Sequence, residues 1–148
     1  MRMANEARVL LVAAPFYEDI TEQLLAGARA ALDAAGARCE TLEVPGAFEI
    51  PGAIAMAEAG ENPFDGYVGL GCVIRGETSH YDYVCGESAR GLMDLSLRGV
   101  ALGYGILTVE NIKQARARAH VDRGDKGRHA AEACLAMIAA RNRFGASR

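Results

Sequence analysis

Two hydrophobic periods alternate along the chain: short, nearly continuous apolar runs, and longer stretches with an apolar residue every three or four positions. Residues 8–14 (RVLLVAA) read as a buried strand closed by Pro15, and residues 20–35 then set Ile20, Leu24, Ala28, Ala31 and Ala35 on one helical face. Gly36 stops that helix. Residues 38–44 predict a second extended segment ending at Pro45-Gly46, followed by an alanine-rich helix over 50–59 that tolerates Pro51 in its first turn. The turn residues Asn62, Pro63, Asp65 and Gly66 announce a third strand over 66–74. From Tyr81 the stripe Tyr81, Val84, Cys85, Ser88, Leu92, Leu95 predicts a long amphipathic helix that Gly99 ends. A fourth strand over 100–107 and a short helix over 111–120 follow; a last helix over 128–144 buries Ala130, Ala133, Cys134, Met137 and Ile138 on one face.

Strands alternating with helices predict an α/β fold: a flavodoxin-like three-layer sandwich, with a four-stranded parallel sheet flanked by helices. The length of 148 residues fits a single domain over 1–148, since a domain of this size hides roughly 70% of its unfolded surface. Ligands in such sheets bind beyond the carboxyl ends of the strands. Here those ends carry PFYED, VPGAFEIP, RGETSH and LTVEN.

Composition narrows the function classes. The chain is 51% hydrophobic and 24% charged with a formal net charge of -3, which gives neither the disordered signature nor the basic footprint of a nucleic-acid binder. Its most continuous apolar run, residues 9–14, is too short to span a bilayer, and MRMANEARVL lacks the apolar region and cleavage site of a signal peptide, so the expected location is cytoplasmic and away from membranes. The cysteines Cys39, Cys72, Cys85 and Cys134 show no C-x-x-C spacing, so the expectation is buried reduced thiols and not a zinc or redox site.

The loops offer chemistry. In RGETSH, Gly76 allows close backbone approach, and Thr78 or Ser79 can cap the helix that opens near Tyr81. Amides at such a helix start suit a phosphate, and the same field biases His80 toward the neutral imidazole that accepts and returns protons. An ordinary capped helix with a solvent-facing histidine has the same sequence. Phe48 and Glu49 stand in a loop stiffened by Pro45, Gly46 and Pro51. Glu49 suits either the hydroxyls of a polyol or the dipole of the following helix. Phe16 and Tyr17 suit either a flat ring or the core beneath the sheet. Arg116, Arg118, Arg123, Lys126 and Arg128 form a basic stretch in which helical periodicity does not choose between Arg116 and Arg118 as a phosphate partner.

Taken together, VPGAFEIP, GCVIRGETSHYDYV and GILTVENIKQARARA with a downstream DKG resemble the lumazine synthase family of riboflavin biosynthesis, over nearly the whole chain. The resemblance implies condensation of 5-amino-6-(D-ribitylamino)uracil with 3,4-dihydroxy-2-butanone 4-phosphate to 6,7-dimethyl-8-ribityllumazine, phosphate and water, the penultimate step of that pathway. It implies no metal and no organic cofactor. By position, His80 matches the family's catalytic histidine. Phe16 would stack on the pyrimidine, Ala47, Phe48 and Glu49 would line the pyrimidine and ribityl region, and Val73 and Ile74 would offer backbone groups. Gly76, Glu77 and Thr78 match the phosphate turn, with Arg118 and Lys126 as the matching cations. Tyr104 stands where a phenylalanine contributed by a neighbouring subunit is common. The partners implied are therefore small-molecule substrates, further copies in a homopentamer with sites at subunit interfaces, alone or as paired pentamers, and a riboflavin synthase. Two departures stand out: Tyr17 replaces a frequent asparagine, and His120-Val121-Asp122-Arg123 replaces the glycine- and lysine-containing turn of many capsid-forming members. The second predicts pentamers or pentamer pairs instead of a sixty-chain shell. A binding module for flavin or lumazine on the same scaffold is the competing reading; it needs neither the proton shuttle of His80 nor Arg118.

Overall fold

The structure, a computed structural model, describes residues 7–146. Four strands, β1 (Arg8–Ala13), β2 (Arg38–Glu43), β3 (Gly66–Ile74) and β4 (Leu102–Val109), form one parallel sheet in the order β2-β1-β3-β4. The helices are α1 (Glu18–Ala34), α2 (Ile50–Ala59), α3 (His80–Leu97), α4 (Ile112–Ala119) and α5 (Lys126–Phe144), with a 3₁₀ turn at Ala47–Glu49.

Strand periodicity divides the core in two. Val9, Leu11, Val68 and Leu70 face a layer whose buried residues include Leu24 of α1, Ala115 of α4 and Ile138 of α5. Leu10, Val12, Tyr67 and Ile106 face Ile50 and Ile54 of α2 and Val84, Leu92 and Leu95 of α3. The result is the three-layer α/β sandwich that the alternation of elements predicts. Strand β3 is buried on both faces along most of its length, as a central parallel strand must be. Strand β2 is exposed throughout and forms an edge of the sheet that carries the charged residues Arg38, Glu40 and Glu43. Gly36 and Gly99, with φ of 73° and 92°, end α1 and α3 in the left-handed conformation that favours glycine.

The structure corrects the expected boundaries at several ends. Strand β1 stops at Ala13, and β4 starts at Leu102 and continues to Val109, because its pairing with β3 runs from Tyr67↔Leu102 to Ile74↔Val109. Helix α1 begins at Glu18, α3 at His80 and α5 at Lys126, each earlier than the apolar stripe suggests, because polar first-turn residues carry no hydrophobic signal. The largest correction concerns the face of α5. Ala133 and Met137 are exposed, and the buried row is Gly127, Ala130, Ala131, Cys134 and Ile138. Small residues let α5 approach the sheet closely, so this row has the weaker hydrophobic signature. The expectation of buried thiols is met at Cys72 and Cys134 and corrected at exposed Cys39 and half-buried Cys85.

Among the described residues no helix is long and apolar enough to cross a membrane.

Candidate active site

The loops after β1 and β2, the end of β3 and the start of α3 enclose a cleft of about 500 Å³ at the carboxyl edge of the sheet. This is the crevice where the strand order turns back between β1 and β3, the usual ligand position in open α/β sheets. Phe16, Ala47, Phe48, Glu49, Val73, Ile74 and His80 line it together.

Local structure fixes each wall. After β1, the Thr21 hydroxyl donates between the carbonyls of Ala14 (3.3 Å) and Tyr17 (3.1 Å), holding the PFY turn against α1. Within that turn the two aromatic roles separate. Tyr17 packs against the core and also lines the cleft, whereas Phe16 is 72% exposed, meeting Tyr17 edge-on at 5.0 Å between centroids. After β2, the Val44 amide continues the ladder to Ala13 and the Glu49 amide closes a tight turn on Gly46 (3.1 Å), which sets Ala47 inward and leaves Phe48 and Glu49 exposed. Among the described residues, the Glu49 carboxylate accepts no hydrogen bond from the chain, so its acceptor capacity is open to a ligand.

His80 is the first residue of α3, and its amide donates to Thr78 Oγ1 at 3.3 Å. Thr78, and not Ser79, is therefore the side chain that meets the helix start. Among the described residues, no acceptor on the chain takes the amides of Gly76, Glu77, Thr78 or Ser79, so the turn before α3 presents free donors to solvent. A Cβ at Gly76 would meet nothing within 4 Å, so packing does not demand a glycine there. Gly76, Glu77 and Thr78 are exposed and adjoin the cleft without lining it.

Other candidates lie farther away. Arg118 is exposed in the last turn of α4, where its Nη1 donates to the Gln114 carbonyl at 3.2 Å. Lys126 opens α5, exposed, and the turn before it is closed by the Asp125 amide on the His120 carbonyl (3.0 Å). Tyr104 is on β4 opposite Gly69, 49% exposed. It does not line the cleft, and burial, then Cys85 and Tyr81, pushes its hydroxyl up.

Sequence reasoning missed several lining residues: Pro45 and Gly46, Cys72 on the floor, and Tyr83 with Val84 on α3. The signal for Tyr83 was available, because a residue three positions after His80 on a helix shares its face. Burial, and less strongly Asp19, pushes the Cys72 thiol up to about 11, so it stays protonated and offers no thiolate nucleophile at neutral pH.

The profile described as 6,7-dimethyl-8-ribityllumazine synthase matches residues 6–142, nearly all of the chain. The chain belongs to that family. Among proteins bearing the same name, the one from Erythrobacter litoralis is 56% identical over 141 residues, covering 95% of this chain and 99% of its own. That from Novosphingobium aromaticivorans is 55% identical over 138 residues, covering 93% and 99%. Rhizobium meliloti contributes a 6,7-dimethyl-8-ribityllumazine synthase 1 that is 52% identical over 153 residues and spans both chains completely. Membership of the 6,7-dimethyl-8-ribityllumazine synthase family, an enzyme family, accords with a cleft at the carboxyl edge of the sheet that His80 lines.

Proposed function

We propose that this chain condenses 5-amino-6-(D-ribitylamino)uracil with 3,4-dihydroxy-2-butanone 4-phosphate to give 6,7-dimethyl-8-ribityllumazine, the penultimate step of riboflavin biosynthesis. The observation that carries the proposal is the gathering of the loops after β1 and β2, the end of β3 and the first turns of α3 around one cleft with His80 at its rim, in a member of this family. A pyrimidine amine adds to the ketone and water leaves as the imine forms. Phosphate is then eliminated, and the second nitrogen closes the ring with loss of another water. Each stage moves a proton, and His80 serves as the group that accepts and returns it.

The other roles follow from position. Phe16 offers its exposed ring to the pyrimidine, and Glu49 accepts from ribityl hydroxyls, flanked by Ala47 and Phe48. Val73 and Ile74, ending the central strand, supply main-chain groups along the heterocycle. Gly76, Glu77 and Thr78 receive the phosphate on the free amides before α3, with Arg118 and Lys126 as cations. The reaction requires no metal and no organic cofactor. Tyr104, which does not line its own cleft, serves the cleft of a neighbouring copy, so the working unit is a homopentamer, alone or paired. Met56, Met93 and Leu97, at 77%, 57% and 78% exposure on α2 and α3, supply apolar surface for such an assembly. A riboflavin synthase is the enzyme that takes the product onward.

Anaerobic mixing of the purified protein with both substrates, followed by lumazine absorbance and fluorescence against a protein-free control, tests the proposal. Protein-dependent acceleration is expected. Tight riboflavin binding without acceleration would replace the enzyme by a binding module.

A further inference from the structure

Arg75 lies between the cleft strand β3 and the turn that leads to His80, yet it does not line the cleft. Its amide extends the sheet ladder to the Val109 carbonyl at 2.9 Å, which anchors its backbone to the end of β4. Its guanidinium then reaches three ways. Nε donates to Glu110 at 2.8 Å, Nη1 meets Asp82 of α3 at 3.5 Å, and the plane sits 4.2 Å from the centroid of the Tyr81 ring.

The Glu110 side continues into α4. The Glu110 amide donates to Gln114 Oε1 (2.8 Å), the Gln114 amide donates to the Asn111 side chain that caps α4 (2.9 Å), and the Gln114 carbonyl receives Arg118 Nη1. One guanidinium thus links the first turn of the helix that begins with His80 to the junction from which Arg118 is carried.

We propose that Arg75 is a positioning residue for the condensation: it holds the first turn of α3, and with it His80 and the phosphate turn, in fixed relation to the β4–α4 junction that leads to Arg118. This rests on the roles given to His80 and Arg118 under the proposed function. The alternative purpose, stability, is poorly served by this cluster. The Arg75, Glu110 and Asp82 side chains are 44%, 57% and 66% exposed, and ion pairs so exposed contribute little to folding. Lysine does not substitute, because a single ammonium cannot span two carboxylates and lie flat on a ring at once.

The test compares Arg75→Ala, Arg75→Lys, Asp82→Asn and Glu110→Gln with Arg29→Ala, an exposed arginine of α1 bonded to Thr41, as control. Turnover, KM for each substrate, thermal unfolding and the His80 ring signals in ¹H–¹³C NMR are recorded for each. The expected result is a kcat lowered on the order of 10- to 100-fold for Arg75→Ala, the scale of a small misplacement of reacting groups. Arg75→Lys, Asp82→Asn and Glu110→Gln should fall between it and wild type. Displaced His80 signals, a nearly unchanged unfolding temperature and an unaffected control complete the expectation. Unchanged kcat and His80 signals would overturn the proposal, as would a loss that only tracks unfolding. A rise confined to KM for the butanone phosphate would also overturn it, by making Arg75 a direct phosphate ligand. If the wild type accelerates nothing, the proposed function fails, while the His80 signals still decide the positioning.

Discussion

His80 stands at the rim of the cleft with its amide on Thr78 and its ring free of protein partners among the described residues, so removing the ring costs little packing. His80→Ala is expected to lower turnover about 10²-fold or more with substrate binding retained, measured by steady-state kinetics alongside equilibrium titration with the pyrimidine. Arg118→Ala should weaken use of the butanone phosphate and leave pyrimidine binding nearly unchanged; equal loss of both would contradict the phosphate assignment. Cys72 supplies a prediction in pH. Its thiol lies at about 11 in the folded chain against an ordinary 9.0, so the unfolded chain releases this proton first as pH rises. The Cys72 contribution is therefore complete below pH 9 and is lost progressively between about 9 and 11, and urea midpoints of the protein and of Cys72→Ala should converge over that window. The grouping of Phe16, Ala47, Phe48, Glu49, Val73, Ile74 and His80 was legible in the sequence because each follows or ends a strand, and parallel strands bring such ends to one edge. Cys72 was not, since a residue inside a strand has the same local pattern whether its neighbours are core or cleft, and Tyr83 is legible only through its helical spacing from His80.

Elements were more legible than their faces. The strand and helix sequence follows from two hydrophobic periods and a few glycine and proline stops, so every element has its counterpart, with ends displaced by a few residues. The short 3₁₀ turn at Ala47–Glu49 escaped, because three residues carry no period. The face of α5 was misread for a reason rooted in packing: where a helix lies close to a sheet, small residues take the contact and larger apolar ones move outward. Gly103 lies on the same contact. A methyl at that position would overlap the Ala130 carbonyl of α5, main chain that cannot swing aside. Gly103→Ala is therefore expected to destabilise the fold by about 1–3 kcal/mol, read from the shift in urea midpoint. Gly76→Ala, by contrast, has open space and should unfold like wild type while weakening use of the phosphate substrate.

At the scale of the whole molecule, the sheet separates two tasks. One edge gathers the loops, while the layers of α1, α4 and α5 on one side and α2 and α3 on the other hold them still. The proposed assembly rests on family resemblance, since an exposed methionine or leucine in a helical pattern does not announce what covers it. Sedimentation velocity is expected to find five-chain particles or pairs of them, and replacing Met93 and Leu97 together by glutamate should yield smaller, folded and less active species. A sixty-chain particle would contradict the reading of the turn at 120–123. Tyr104 gives the geometry of that assembly a direction. In the proposed ring a chain gives Tyr104 to one neighbour and takes one from the other, so donor and acceptor surfaces would be unlike and the contacts would run head to tail. Two chains joined this way complete one cleft and leave the other wanting; only closure into a circle fills as many clefts as there are chains. Activity per chain should therefore rise steeply as rings close, and an open fragment would always carry one idle end.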